Sequence, residues 1–225
     1  MGNRALKATI RQLLTQEDFA TVRDTLRQLP GRQAVNPLFS FFYSGDERLR
    51  WRAIAAMGVV VSHLAATSME SARVVMRRLM WNLNDESGGI GWGSPETMGV
   101  AVAGSRRLAA QYSHILFSYL LPDGNYLEHP MLQRGSLWGA ATAVHAGVGS
   151  DREVAAAVTA FLASEDPCHR GLAAWFLEAA PFSGAISLLE GLRTDRATFQ
   201  LFADLSLSER SVGQMAAAAL ESSAA

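Results

Sequence analysis

Sixteen residues gather the side chains best suited to hold or transform a ligand: Trp81-Asn82-Leu83-Asn84-Asp85-Glu86-Ser87-Gly88-Gly89-Ile90-Gly91-Trp92-Gly93-Ser94-Pro95-Glu96. Glycines at 88, 89, 91 and 93 surround Trp92, and three carboxylates lie nearby. Clustered glycines cost backbone entropy, so they are expected where the chain needs positive φ or must approach something closely. Trp92 could close over a ligand, and Asp85 and Glu86 could meet a cation or an arginine, or work as acid and base. Ser94-Pro95 opens a helix whose free N–H groups favour an anion, a role that Glu96 in the first turn can fill itself. Asn82, Asn84, Asp85, Glu86, Trp92 and Glu96 are therefore the expected binding residues. The competing structural reading is a tight Ω-loop in which Trp81 and Trp92 plug a break in the helical stack and Asp85 or Glu86 pairs with Arg77 or Arg78.

Other chemistries lack their residues. Gly89-Ile90-Gly91-Trp92-Gly93 follows a helical stretch, misses the G-x-G-x-x-G spacing and is not continued by Gly-Lys-Ser/Thr, which excludes dinucleotide and P-loop folds. An EF-hand beginning at Asn82 would need glycine where Ser87 stands. The histidines, His63, His114, His129, His145 and His169, show neither His-x-x-x-His nor His-Glu-x-x-His spacing. The single His/Glu dyad, Glu128-His129, is in the reverse of the order that HEAT-repeat metal hydroxylases present. Cys168 follows Asp166-Pro167 in the first turn of a helix, where the dipole lowers a thiol pKa, but His169 beside it points to another face. No metal, cofactor or catalytic residue is expected.

The elements around this stretch read as helices. Of 36 alanines, 22 follow residue 110, and β-branched runs are scarce apart from Val59-Val60-Val61. Four capping boxes, Ser44…Glu47, Thr67…Glu70, Ser150…Glu153 and Ser206…Glu209, signal helix starts, as do Pro37, Pro95 and Pro167. Together with apolar periodicity they predict helices near 4–14, 16–29, 36–43, 46–65, 68–82, 95–103, 105–120, 130–147, 151–163, 167–179, 182–191, 195–203 and 208–221. Short connections make sequential helices antiparallel, and so many in series suggest stacked hairpins.

A repeat supports the stack. Asp46-Glu47-Arg48-Leu49-Arg50-Trp51-Arg52-Ala53-Ile54-Ala55-Ala56 has the form D-x-x-x-R-x-x-A-x-x-A, and Asp166-Pro167-Cys168-His169-Arg170-Gly171-Leu172-Ala173 repeats its first part. Weaker echoes sit at Arg107-Leu108-Ala109-Ala110 and from Arg134 to Ala141. Small residues three or four apart let a neighbouring helix approach. These segments resemble the second helices of HEAT repeats of the phycobilisome-lyase-like kind, over most of residues 36–180. Trp81–Glu96 is similar to a run W-x-L-N-D-E-S-G-G-I-G-W-G-x-P-E of bacterial HEAT-repeat proteins. The resemblance implies an all-α, α-α superhelix of the HEAT/armadillo-like kind whose second helices line a concave binding face. The chain is expected to form a single domain over 1–225, with 1–30 as an N-terminal cap and 83–94 as a glycine-rich loop insertion.

Composition bounds the rest. The 225 residues, 49% hydrophobic and 18% charged, can bury a core without staples, and one cysteine excludes a disulfide framework. No apolar run spans a bilayer and no secretory signal opens the chain, so a cytoplasmic address is expected. The net charge of −1 conceals +5 over residues 1–110 and −6 over 111–225. A sum of +5 falls short of a nucleic-acid footprint. The function expected is a non-catalytic scaffold recognising a protein partner or a small-molecule ligand through the concave face and loop 82–96. One alternative, implied by the repeat resemblance, is a bilin-lyase-like cofactor-modifying enzyme using Asp85 or Glu86. Another is a DNA-binding, glycosylase-type solenoid using Trp51, Trp81, Trp138 and Trp175 with Arg48, Arg50, Arg52, Arg77, Arg78, Arg106 and Arg107.

Overall fold

A computed structural model of the chain describes residues 3–84 and 91–224. Asp85 and Glu86 lie outside the described residues. The fold is all-α at its core, built of helical hairpins stacked as in an α-solenoid. Contacts group it into two compact units, Met1–Gln111 and Tyr112–Ala225.

In the first unit α1 (Asn3–Leu14), α2 (Phe19–Gln28) and α3 (Gly31–Phe39) precede the long α4 (Glu47–Thr67), followed by α5 (Met69–Leu83), α6 (Ser94–Ala103) and the first turns of α7 (Arg106–Ser118). Helix α4 is the centre of this unit and packs on α2, α3, α5 and α6. Its contact with α6 is close because Gly58 has no side chain: a Cβ there would stand 2.4 Å from Val100 Cβ. That is the role the small-residue stripe of the repeat predicts. Ile54, Met57, Met76, Leu79 and Met98 fill the core. Arginines secure helix ends. Buried Arg52 donates to the carbonyls of Leu14, Gln16 and Glu17, and Arg107 donates to Ala65 O at 2.9 Å. Both guanidiniums thus sit at the negative ends of helices.

In the second unit, α8 (Pro130–His145), α9 (Arg152–Ala160), α10 (Pro167–Ala179), α11 (Ile186–Leu192) and α12 (Val212–Ala224) surround one hairpin, β1 (Thr198–Ala203) and β2 (Ser206–Ser211). Helix α10 lies between α8 and α12. The hairpin corrects the expectation of a helix over 195–203, and the Ser206…Glu209 box lies within β2 rather than at a helix start. The cause is legible afterwards: Thr198, Phe199, Leu201 and Phe202 are β-formers, and Asp204 and Leu205, at φ 48° and 63°, make a two-residue turn with both centres left-handed. Tertiary packing then fixes it. Phe199 occupies the space above Gly171, and buried Trp138 donates its indole N–H to Phe202 O at 2.8 Å.

The helix starts also differ in detail. Helix α3 begins after Pro30 and runs through Pro37. Aspartates, not the Ser/Thr of the boxes, accept the cap bonds of α4 and α9: Asp46 from Leu49 N and Asp151 from Val154 N, each at 3.0 Å. An aspartate adjacent to the box offers a charged acceptor to the positive helix end, so it prevails. Proline does stand in the first turn of α6, α8 and α10. Among the described residues, no helix is long and apolar enough to cross a membrane.

Candidate binding site at the start of helix α6

The glycine-rich segment is positioned by two helices and a turn. Helix α5 ends at Leu83, with Asn84 N donating to Trp81 O at 3.0 Å. At Gly91 the φ is +60°, and a Cβ would stand 2.7 Å from Asn82 O, so only glycine fits against the end of α5. Gly93, at φ +78°, precedes α6, and its missing Cβ leaves room for Phe42 and Ile54 at 2.8 and 3.1 Å. These two glycines answer both demands that a glycine run implies, left-handed backbone and close approach. Between them Trp92 stacks on Tyr43 with ring centroids 6.4 Å apart.

The polar atoms held there are unusual. Trp92 Nε1, Ser94 Oγ, Glu96 Oε2 and Thr97 Oγ1 are buried and have no hydrogen-bond partner among the described residues. They are four of the seven such side-chain atoms described, within six residues of chain. Ser94 and Thr97 are fully buried and, three apart on α6, share a face. Native interiors rarely leave such groups unpaired, and each costs about 1–3 kcal/mol when they do. Burial pushes the Glu96 carboxyl up to about 7, against the opposing pull of its own backbone N–H and of Arg50. Near neutrality this side chain is therefore divided between an acceptor-only carboxylate and a donating acid.

Of the expected binding residues, Trp92 and Glu96 carry two of these atoms. Asn82 is part-buried in the last turn of α5 and Asn84 is exposed at its end, so neither is shown to point into it. Ser94 and Thr97 were not among the expected residues, because serine and threonine are ordinary near a helix start and carry no further sequence signal. Of the Ω-loop alternative, only the tryptophan and arginine positions are described. Trp81 is 74% exposed, whereas Arg77 reaches Glu70 at 2.6 Å and Arg78 reaches Asn36 and lies 4.1 Å over the Phe39 ring; the expected pairing of Asp85 or Glu86 with these arginines lies outside the described residues.

At the other suspected chemistry, Cys168-His169, the helix cap and the imidazole are bonded within the fold. Asp166 accepts from Cys168 N at 2.9 Å and from Arg134 Nε at 2.6 Å. Buried His169 lies within hydrogen-bond distance of Ser164 Oγ (3.1 Å) and Pro130 O (3.2 Å). Burial alone would raise the Asp166 carboxyl, but the Arg134 guanidinium and the Cys168 amide hold it below its ordinary value. One repeat further on, Arg170 reaches Asp195 Oδ2 at 2.8 Å together with the carbonyls of Ser164 and Glu165. Arg134–Asp166 thus links α8 to α10, while Arg170 ties α10 to the connection between α11 and β1. Among the described residues no cluster of three or more His, Cys, Asp or Glu could hold a metal ion.

No family model matches the chain, and no curated protein matches it. Among solved structures it is similar to an engineered protein from the Northeast Structural Genomics Consortium, with a TM-score of 0.53 and 17% identity over 100% of this chain and 97% of that one. A designed armadillo repeat protein aligns with a TM-score of 0.46 and 15% identity over 96% of this chain and 98% of its own. At such identities the likeness concerns the fold alone.

Proposed function

We propose that the chain is a non-catalytic scaffold of HEAT-like repeats that recognises a protein partner through the start of α6. Trp92 and Glu96 carry the contact with Ser94 and Thr97, and Asn82, Asn84, Asp85 and Glu86 lie beside them in sequence. The observation that carries this reading is the set of four buried polar atoms, within six residues of chain, that have no partner among the described residues. A fold gains nothing from leaving them unpaired, whereas an occupant that pairs them recovers that cost on binding. The Cys168-His169 region, where an enzyme reading would look next, is satisfied within the fold. A cytoplasmic address accompanies the proposal, since a lone, part-exposed cysteine suits a reducing compartment.

An array of random-sequence peptides tests it. The wild-type chain is expected to bind a reproducible subset, and Trp92→Ala, checked for native helicity by circular dichroism, is expected to lose at least tenfold of that signal. Absence of binding, or binding that survives both Trp92→Ala and Glu96→Gln, would contradict the proposal.

A further inference from the structure

In an antiparallel pair, facing residues alternately exchange both backbone hydrogen bonds and turn both away. Ala203 and Ser206 close the two-residue turn of the hairpin, so Leu201/Ser208 and Phe199/Arg210 are bonded pairs, and Phe202/Leu207 and Gln200/Glu209 turn their N–H and C=O groups outward. Three further bonds agree with this alternation. Val212 N donates to Ala197 O at 2.9 Å within the ladder, whereas the outward Phe202 O accepts from Trp138 Nε1 at 2.8 Å and the outward Ser211 N donates to Gln214 Oε1 at 3.0 Å. The outer edge of β1 therefore turns toward α8, which carries Trp138. On the outer edge of β2, Leu207 and Glu209 hold two N–H and two C=O groups for which the described residues offer no partner. Glu209 is exposed and Leu207 half-buried, and both side chains stand on one face of the hairpin with Thr198, Gln200 and Phe202.

An open edge with donors and acceptors at strand spacing is a template for a further strand. Charge decides whose strand fits. If a second copy of β2 pairs Glu209 within this edge, the two Glu209 carboxylates come directly opposite or onto a diagonal, and that face of the hairpin carries no cation to offset them. A basic strand has the opposite sign, and the net charge of −6 over residues 111–225 draws it to this unit. We propose that the outer edge of β2 binds an extended segment of a partner protein as a third, antiparallel strand. The segment's backbone pairs with Leu207 and Glu209, and it sets an apolar side chain opposite Leu207 and, two residues earlier in its own sequence, a Lys or Arg opposite Glu209. This site stands on backbone geometry in the second unit and is independent of the role proposed for the start of α6, so either can fail alone.

The test follows amide hydrogen exchange in the ¹⁵N-labelled chain with the peptide acetyl-Thr-Thr-Lys-Thr-Val-Thr-amide at millimolar concentration. Without peptide, the Ser208 and Arg210 amides should exchange slowly and those of Leu207 and Glu209 fast. With peptide, Leu207 and Glu209 should slow about tenfold. A peptide with Glu in place of Lys should bind about threefold more weakly, and Glu209→Lys should reverse that preference. A peptide N-methylated at Lys and Val, which lacks the two pairing N–H groups, should not bind. No binding, binding that survives N-methylation, equal binding of the Lys and Glu peptides, or protection gained at Gln200 of β1 instead would each overturn the proposal. So would Leu207 and Glu209 amides that are slow before peptide is added. If that protection grows with protein concentration and dimers appear in sedimentation, a second copy holds the edge; if it does not, the chain itself covers it.

Discussion

Helices α6 and α10 begin in the same manner and end up chemically opposite. Each opens with proline in its first turn and packs on the preceding second helix, α4 or α8. At α10 the carboxylate is Asp166 at the N-cap, and Arg134 of α8 meets it at 2.6 Å. At α6 the N-cap is Gly93, and the carboxylate has moved into the first turn as Glu96. Arg50 of α4, the counterpart in the repeat, instead pairs with Glu47 at 3.3 Å and gives Glu96 only a distant attraction. One start is a closed structural joint. The other keeps its glycine backbone close to α4 and α5, and there one Glu96 carboxyl oxygen, two hydroxyls and an indole N–H have no partner among the described residues. The comparison teaches that one repeat position is closed where an arginine reaches its carboxylate and keeps buried polar atoms without described partners where none does.

The two starts should respond differently to mutation and in opposite directions to pH. Asp166→Ala removes a cap and a part-buried ion pair, and is expected to cost about 2–3 kcal/mol in chemical denaturation. Glu96 follows in size. Its folded value of about 7 lies above the ordinary 4.5, so its contribution is fully present below pH 4.5 and is lost as pH rises through 7. Between pH 5 and pH 8 the wild type should lose on the order of 2–3 kcal/mol, since each pKa unit is worth about 1.4 kcal/mol. Glu96→Gln should flatten that loss in parallel denaturation series. Asp166 has the reverse sign: its value is lowered, so its stabilisation is present above the ordinary 3.8 and disappears only in stronger acid. Ser164→Ala, which deprives His169 and the Asp166 amide of a partner, should cost about 1 kcal/mol. Equal losses from Ser164→Ala and from Ser94→Ala would erase the proposed distinction.

Much of this architecture was legible in the sequence, for physical reasons that also explain the misses. Alanine richness and X-Pro starts located α6 and α10, and the D-x-x-x-R pattern marked Asp166, which joins α10 to α8 through Arg134, and Arg170, which ties α10 to the connection before β1. Local rules failed where a tertiary partner decided the outcome. Residues 198–203 became a strand because Phe199 packs on Gly171 and Trp138 binds Phe202 O, contacts between residues about 30 or more apart in sequence. The candidate site was found by its glycines, and Gly91 and Gly93 do perform the close approach that such a run implies. Ser94 and Thr97 escaped because their types are ordinary near a helix start; only burial without a partner distinguishes them.

The central claim, that the α6 start is left open by the fold itself, is met most directly by the unfolding free energy of the double variant Ser94→Ala/Thr97→Val. Hydroxyls without partners contribute nothing to the fold, so the variant should match the wild type or exceed it by up to about 1 kcal/mol, with unchanged helicity. A loss of about 2 kcal/mol or more would mean that both hydroxyls are bonded inside the native chain, and that this helix start is as closed as that of α10.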